Sequence, residues 1–208
     1  MNLADLIDDL NKIRYDNFDD IIYPFNNNQI KLFEKYTNGK VIEIEDLYWS
    51  NIEKNINRLN YDEKVKGIYI NDIDRGVGDW KIIDNLLRKK FPNFESIYVN
   101  QMFGNDNISE SKAKLVFLYS CQFNQFDFNN LIYRKKIYRE GFEDYECEND
   151  PGLTIFINIF NINGQINVLI GGDVYFDKNN FMQDFEKNKY FDKLYEKNKK
   201  VDFSKIRI

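Results

Sequence analysis

The dipeptide Asn163-Gly164 constrains the fold of this chain more than any other feature of its sequence. A two-residue type I′ turn requires a positive φ angle at both central positions, which glycine and asparagine adopt more readily than other residues. Runs rich in isoleucine, valine and phenylalanine, interleaved with asparagine, flank the dipeptide on both sides. We therefore predict a β-hairpin over residues 153–176.

The turn also predicts the register of the two strands, because residues at equal distances from the turn face each other. One face then carries a stripe of β-branched side chains that suits a buried sheet surface. The other face mixes phenylalanine and leucine with asparagine, and we expect it to pack beneath a closing helix. The predicted pairs are Asn161 with Ile166, Ile159 with Val168 and Ile157 with Ile170 on the first face, and Phe160 with Asn167, Asn158 with Leu169 and Phe156 with Gly171 on the second.

The rest of the chain predicts an α+β domain with helices first, then a strand–helix–strand unit, then an antiparallel run that a helix closes. We expect a mixed, mostly antiparallel sheet that includes the C-terminal hairpin, with helices mainly on one face. A single domain should span residues 1–208, with a helical part at about 1–60 and a sheet-forming part at about 65–208. Residues 114–123 are dense in apolar side chains and should form a central strand. Residues 124–145 fit either a helix or an edge strand.

Apolar periodicity and local stop signals place the individual elements. Asn2 can cap the first helix, and Asn38-Gly39 can stop the second. The fragments GIYIND, SIYVNQ and TIFINI look alike, but their irregular spacing does not indicate a true repeat. The predicted helices begin at Asn2, span Asn28–Tyr36, run from Glu45 to Leu59, begin at Asp79 and span Asn179–Lys197, and the predicted strands span Lys40–Ile44, Val65–Ile73, Glu95–Phe103 and Lys114–Phe123.

The sequence contains no histidine, which removes whole classes of chemistry. Ser-His-Asp and Cys-His nucleophiles, His-ligated zinc and imidazole acid–base catalysis all require that side chain. Catalysis would have to use carboxylates with a hard metal ion, or lysine, tyrosine, cysteine or a cofactor. No sequence motif of nucleotide-binding loops, zinc proteases, serine hydrolases or kinases occurs. The sequence therefore favours a non-enzymatic protein.

Charge and cysteine content narrow the partners and the compartment. A net charge of −5 at pH 7 argues against general binding to nucleic acids or anionic membranes, since both need a basic surface. No apolar run approaches the ~20 residues of a membrane-spanning helix. Cys121 and Cys147 are too few for a disulfide framework, and the acidic N-terminus does not resemble a signal peptide. We expect a cytoplasmic protein without a membrane partner.

The first candidate site follows the predicted strand Val65–Ile73. Asp72 and Asp74 lie two residues apart, and a loop with Gly76 and Gly78 leads from them to a helix N-terminus. Paired carboxylates hold hard cations such as Mg²⁺ or Mn²⁺, and ligands of α/β sheets bind beyond the carboxyl ends of the strands. The same residue types also occur in any strand-to-helix loop, so a loop without chemistry is the alternative.

The second candidate site is an acidic segment with two aromatic residues that directly follows a basic cluster. A dense patch of one charge sign steers a partner of the opposite sign, and aromatic side chains can anchor that partner. Alternatively, the carboxylates pair with the basic cluster and face solvent. The acidic segment comprises Glu140, Phe142, Glu143, Asp144, Tyr145, Glu146, Glu148 and Asp150, and the basic cluster comprises Arg134, Lys135, Lys136 and Arg139.

The sequence leads to one main functional hypothesis and two alternatives. The main hypothesis is an intracellular protein-binding module that neutralises a partner with a basic surface, as immunity proteins and antitoxins do, without a cofactor. The first alternative is an enzyme that uses Mg²⁺ or Mn²⁺, held by Asp72 and Asp74, to act on a phosphate-containing substrate. A weaker alternative is a self-associating protein that uses the mixed face of the hairpin.

Overall fold

The structure of the protein is a computed structural model. It describes residues 1–12, 27–47, 51–73, 80–100, 108–119, 127–139, 153–173, 189–197 and 201–208. The helices are α1 (Leu3–Lys12), α2 (Asn27–Thr37), α3 (Ile52–Arg58), α4 (Trp80–Lys90) and α5 (189–197). The strands are β1 (Lys40–Leu47), β2 (Val65–Ile73), β3 (Ser96–Val99), β4 (Leu115–Tyr119), β5 (Leu131–Arg139), β6 (Leu153–Ile162) and β7 (Gln165–Asp173).

The described strands form one seven-stranded sheet in the order β1-β2-β3-β4-β7-β6-β5. The prediction of a single α+β domain with a mixed sheet is confirmed, and β4 is the central strand. The balance of pairings differs from the mostly antiparallel sheet that we expected. The pairings β1–β2, β2–β3, β3–β4 and β4–β7 are parallel. Among the described strands, only β5–β6 and β6–β7 are antiparallel pairs. Parallel pairing arises because the connections after β1, β2 and β3 return the chain to the same end of the sheet before the next strand begins.

The hairpin of β6 and β7 has the predicted turn and the predicted register. Asn163 has φ 53° and Gly164 has φ 89°, so both turn positions adopt the left-handed conformation that the sequence indicated. The amide N–H of Gly164 donates to Asn161 Oδ1 at 3.0 Å, which closes the turn further. All six residue pairs that we predicted are present. The local turn chemistry and the alternation of side chains therefore determine this part of the fold.

The strand side chains alternate between two core clusters on opposite faces of the sheet. Ile68 and Ile70 lie in the cluster that contains Trp80 of α4, and we call this side the α4 face. Tyr69 lies in the cluster that contains Phe33 of α2, and we call that side the α2 face. Both sides of the strands are thus apolar, which is typical of sheets with parallel strands.

Helices cover both faces, which corrects the expectation that they lie mainly on one. The α4 face carries α3, α4 and α5, whereas the α2 face carries α1 and α2. Strands β1, β2 and β3 follow one another in one direction across the sheet, so right-handed crossovers place α3 and α4 on the same face. Helices α1 and α2 precede the first strand, so the crossover rule does not determine their position. They pack on the apolar side chains of the α2 face.

The N-terminal helices agree with the sequence. The amide N–H of Asp5 donates to Asn2 Oδ1 at 2.9 Å, and the amide N–H of Asn2 donates to Asp5 Oδ2 at 3.2 Å. This reciprocal cap starts α1 as predicted. Helix α2 ends before Asn38, whose φ of 52° stops the helix where the Asn38-Gly39 signal indicated.

In two stretches the sequence pattern did not determine the secondary structure that is observed. The predicted helix from Glu45 is wrong at its start, because β1 continues to Leu47 and α3 begins only at Ile52. Pairing of β1 with β2 overrides the helical spacing there. Within the ambiguous stretch 124–145, β5 is an edge strand. The closing helix is confirmed over 189–197, and the rest of the predicted span lies outside the described residues.

Candidate functional site

Six strands end at the same end of the sheet, which we call the carboxyl end. The parallel strands β1 to β4 and β7 end there, and so does β5, because it is antiparallel to β6 and β6 is antiparallel to β7. We call the opposite end the amino end. Ligands of open sheets with parallel strands bind beyond the carboxyl ends, where loops meet. The carboxyl end is therefore the first place to look for a functional site.

The acidic segment is anchored at the carboxyl end. Residues 140–150 lie outside the described part of the chain, so the structure does not place the side chains from Glu140 to Asp150. Their attachment points are described, because Arg139 ends β5 and pairs with Leu153 at the start of β6. The intervening residues thus connect an edge strand to its neighbour at the same end of the sheet as the loop after β2. The sequence alone did not bring the two candidate sites to one end.

The carboxylate pair is placed only in part. Asp72 lies in β2 one residue before its end, whereas Asp74 lies outside the described residues. The register of β1 and β2 sets Asp46 opposite Asp72, an acidic neighbour that sequence reasoning missed. Adjacent strands are about 4.8 Å apart, so two acidic positions lie side by side near the carboxyl end. Among the described residues, no group of three or more acidic, cysteine or histidine side chains is arranged to hold a metal ion.

A buried polar cluster occupies the carboxyl end of β2 and β3. The amide N–H of Asn100 donates to the Ile70 carbonyl at 2.9 Å, which extends the strand pairing by one residue. Asn71 Oδ1 accepts from the Tyr69 hydroxyl at 2.9 Å and from Asn100 Nδ2 at 3.2 Å. Asn100 Oδ1 is buried and has no hydrogen-bond partner in the described part of the chain. A buried acceptor without a partner is unusual in a folded protein.

The likeness of GIYIND and SIYVNQ was the sequence signal for this cluster. In the sheet Tyr69 pairs with Tyr98 and Ile70 pairs with Val99, so the two asparagines that follow reach the same end. Burial raises the pKa of Tyr69 to about 12, and the negative charge of Glu43 adds to the shift. The hydroxyl of Tyr69 therefore stays protonated at neutral pH and acts as a hydrogen-bond donor to Asn71.

A second polar cluster lies on the α4 face beneath α5. The Arg134 guanidinium donates from Nε to Asp192 Oδ1 at 2.9 Å and from Nη1 to Asn158 Oδ1 at 2.9 Å. It also stacks over the Phe156 ring, with 4.3 Å between Cζ and the ring centroid. Only 3% of the Arg134 side chain is exposed. The expectation that the mixed hairpin face packs beneath the closing helix is confirmed.

The burial of Arg134 could not be predicted from strand alternation. The pairing of β5 with β6 shifts between Leu131 and Tyr133, and the shift changes which face the following residues occupy. The sequence groups Arg134 with Lys135, Lys136 and Arg139 as a basic cluster. The Lys135 ammonium instead donates to the Asn11 carbonyl of α1 at 3.3 Å, and the side chains of Lys136 and Arg139 lie outside the described residues.

Comparisons with known proteins leave the function to be argued from the residues themselves. No protein-family model, curated protein or solved structure matches this chain. Within the described ranges, no helix has both the length and the apolar character to cross a membrane.

Proposed function

We propose that this protein is an intracellular protein-binding module that neutralises a partner, as immunity proteins and antitoxins do. The observation that supports the proposal is the attachment of the acidic segment between β5 and β6 at the carboxyl end. Two paired strands hold both ends of that segment, so its carboxylates are presented from a rigid base. A partner with a basic surface would be steered toward them, with Phe142 and Tyr145 as anchors.

The contacts of the basic cluster support this proposal over internal neutralisation of the acidic segment. Arg134 is buried against Asp192 and Asn158, and Lys135 reaches toward α1. These two cations of the cluster are therefore engaged elsewhere, on the α4 face and at the end of α1. These contacts favour a partner protein as the source of the positive charge that the acidic segment binds.

The test compares two charge-reversal variants with equal changes in net charge. The site variant carries E143K, D144K and E146K, and the control carries E34K, E53K and E110K, at exposed positions on α2, on α3 and before β4. The wild-type protein is used to isolate its partner, and association rates of the purified pair are then measured across a range of salt concentrations. We expect the site variant to associate on the order of 10-fold or more slowly at low salt, with a weaker salt dependence than wild type. Equal association rates of the site variant and wild type would exclude the acidic segment as the contact.

A metal-dependent enzyme that acts on a phosphate-containing substrate is the second candidate, and the position of Asp46 beside Asp72 favours it. Two neighbouring carboxylates at the carboxyl end would attract Mg²⁺ or Mn²⁺, and the N-terminus of α4 follows that strand with amide donors for a phosphate. Thermal unfolding of wild type, D72N and D8N is compared with and without each metal ion and nucleotide. Asp8 is exposed on α1 and serves as the control. A metal-induced rise of the midpoint in wild type and D8N, lost in D72N, is the expected result. A midpoint that no ion shifts in any of the three proteins would rule this candidate out.

A further inference from the structure

Two buried asparagines lie close together on the α4 face of the hairpin. Asn158 of β6 is fully buried and Asn167 of β7 is 1% exposed. Asn158 faces Leu169 and Phe160 faces Asn167, so the two asparagines are diagonal neighbours on one face of an antiparallel pair. Diagonal neighbours lie about 7–8 Å apart, with somewhat shorter distances between their Cβ atoms.

The amide of Asn158 can be oriented in only one way. Its Oδ1 accepts from Arg134 Nη1 at 2.9 Å, and a guanidinium can only donate hydrogen bonds. The oxygen must therefore face Arg134, and the Nδ2 group must point away from it. Among the described residues, no atom accepts a hydrogen bond from Asn158 Nδ2. Asn158 thus presents a buried donor.

The amide of Asn167 is oriented by the same kind of argument. Its Nδ2 donates to the Gln165 carbonyl at 3.3 Å and to Gln165 Oε1 at 3.1 Å. The Gln165 side chain is itself oriented, because its Nε2 donates to the carbonyls of Ser111 at 2.7 Å and Ala113 at 2.8 Å. Carbonyl oxygens only accept, so the Asn167 oxygen must be the free end. In the described part of the chain nothing donates to Asn167 Oδ1, which is a buried acceptor.

We propose that a single buried water molecule bridges Asn158 Nδ2 and Asn167 Oδ1. A buried polar group without a hydrogen-bond partner lowers stability, so an occupant that satisfies both atoms is strongly favoured. The occupant must accept from one amide and donate to the other. A metal cation cannot accept from Nδ2, and an anion would be repelled by Oδ1, whereas water does both. A water with two hydrogen bonds of 2.7–3.2 Å spans up to about 6 Å, which suits diagonal neighbours that do not bond directly.

The water completes a chain of hydrogen bonds across the α4 face. The chain runs from Asp192 of α5 through Arg134 and Asn158 to the water, and then through Asn167 and Gln165 to the carbonyls before β4. It ties the terminal helix to both hairpin strands and to the amino end of the sheet. The site contains neither Asp72 nor any residue of the acidic segment, so the proposal stands whatever the protein binds.

The first test is a crystal structure of the wild-type protein at a resolution that shows ordered water. We expect one water peak within 2.7–3.2 Å of both Asn158 Nδ2 and Asn167 Oδ1. A direct contact between the two amides, or a larger molecule at this position, would overturn the proposal. Magnetisation transfer from water in the ¹⁵N-labelled protein gives an independent reading. The side-chain amide of Asn158 should show a cross-peak at the water frequency, whereas the buried backbone amide of Val116 should not, and the lack of an Asn158 peak would contradict a bound water.

The second test is a double-mutant cycle with N158L, N167L and the double variant. Either single change removes one of the two partners of the water and so breaks the bridge. The second change cannot break the bridge again, so its additional effect on stability should be smaller. The loss of the Arg134 contact occurs in both variants with N158L and cancels in the cycle. We expect the double variant to lower the unfolding midpoint by less than the sum of the single variants. A control cycle of N167L with N93A, far away at the amino end, should be additive, and additivity of both cycles would overturn the bridge.

Discussion

The two ends of the sheet differ in the way that neighbouring strands are joined. At the amino end, the two-residue turn at Asn163-Gly164 connects β6 to β7, and backbone hydrogen bonds join the starts of neighbouring strands. The amide N–H groups of Glu95, Lys114 and Ile166 donate to the carbonyls of Lys66, Glu95 and Lys114, each at 2.8 Å. At the carboxyl end, longer connections follow β1 to β5. In sheets with parallel strands, the loops at the carboxyl end commonly carry the functional residues.

Two buried polar side chains, one near each end, differ in how fully they are hydrogen-bonded. Asp84 of α4 accepts from Ser111 Oγ at 2.8 Å, from Arg88 Nε at 2.7 Å and from the amide N–H of Lys112 at 3.1 Å. Asn100 at the carboxyl end instead keeps its buried Oδ1 without a partner among the described residues. A fully satisfied buried group stabilises its surroundings, whereas an unsatisfied one lowers stability. The comparison leads to four predictions, in order of decreasing effect.

The largest effect is expected from D84A. The change leaves Arg88 without its carboxylate partner and leaves the buried Ser111 hydroxyl without its acceptor. We expect the free energy of unfolding, measured with urea, to fall by about 3–5 kcal/mol. D84N keeps the shape and part of the hydrogen bonding, so its loss should be smaller. A loss in D84A below that of D84N would mean that this cluster does not stabilise the amino end.

A smaller effect is expected from G164A in the hairpin turn, also at the amino end. Gly164 has φ 89°, a conformation that an L-residue with a Cβ atom adopts only with strain. No atom lies within 4 Å of an added Cβ, so the backbone conformation alone should cause the loss. We expect the free energy of unfolding to fall by about 1–2 kcal/mol. N163G, which removes strain at φ 53°, is the control and should change stability little. A neutral G164A would show that the turn does not need a left-handed conformation.

A still smaller effect is expected at the carboxyl end from N100A. The change removes one hydrogen bond to Asn71 but also removes the unsatisfied Oδ1. The free energy of unfolding should fall by about 1 kcal/mol or less. S111A is the matched change at the amino end, because it removes a hydroxyl that Asp84 binds, and it should cost more than N100A. A larger loss of unfolding free energy in N100A than in S111A would contradict the difference that we infer between the two ends of the sheet.

The last prediction concerns stability at alkaline pH, and we expect no effect at neutral pH. Burial raises the pKa of Tyr69 to about 12 from the model-compound value of 10.0. Between these values the unfolded chain loses the proton while the folded chain keeps it, so stability should fall as the pH rises from 10 to 12. Y69F should weaken this fall, and Y61F, at an exposed position, should leave it unchanged. Equal slopes in wild type and Y69F would show that Tyr69 titrates normally.

Local chemistry explains which parts of the fold could be predicted. The turn at Asn163-Gly164, the cap at Asn2 and the stop at Asn38 depend on neighbouring residues, and all three are present in the structure. The prediction of a helix from Glu45 was wrong at its start, because the pairing of β1 with β2 overrides the helical spacing of the apolar residues. The candidate sites could be predicted only as separate segments, since the strand order brings the loop after β2 and the acidic segment to the same end.

The sequence by itself determined the hairpin register, the class of the domain and the chemistry that a chain without histidine cannot perform. These features follow from residue types and from spacings of a few residues. Only the tertiary structure decided that Asp46 lies beside Asp72, that Arg134 is buried under α5, and that Asn158 and Asn167 share one face with their free atoms buried. The physical reason is that such contacts join residues far apart in the chain. These contacts depend on the strand order, the direction of the crossovers and one shift in register. No local sequence pattern encodes those three features.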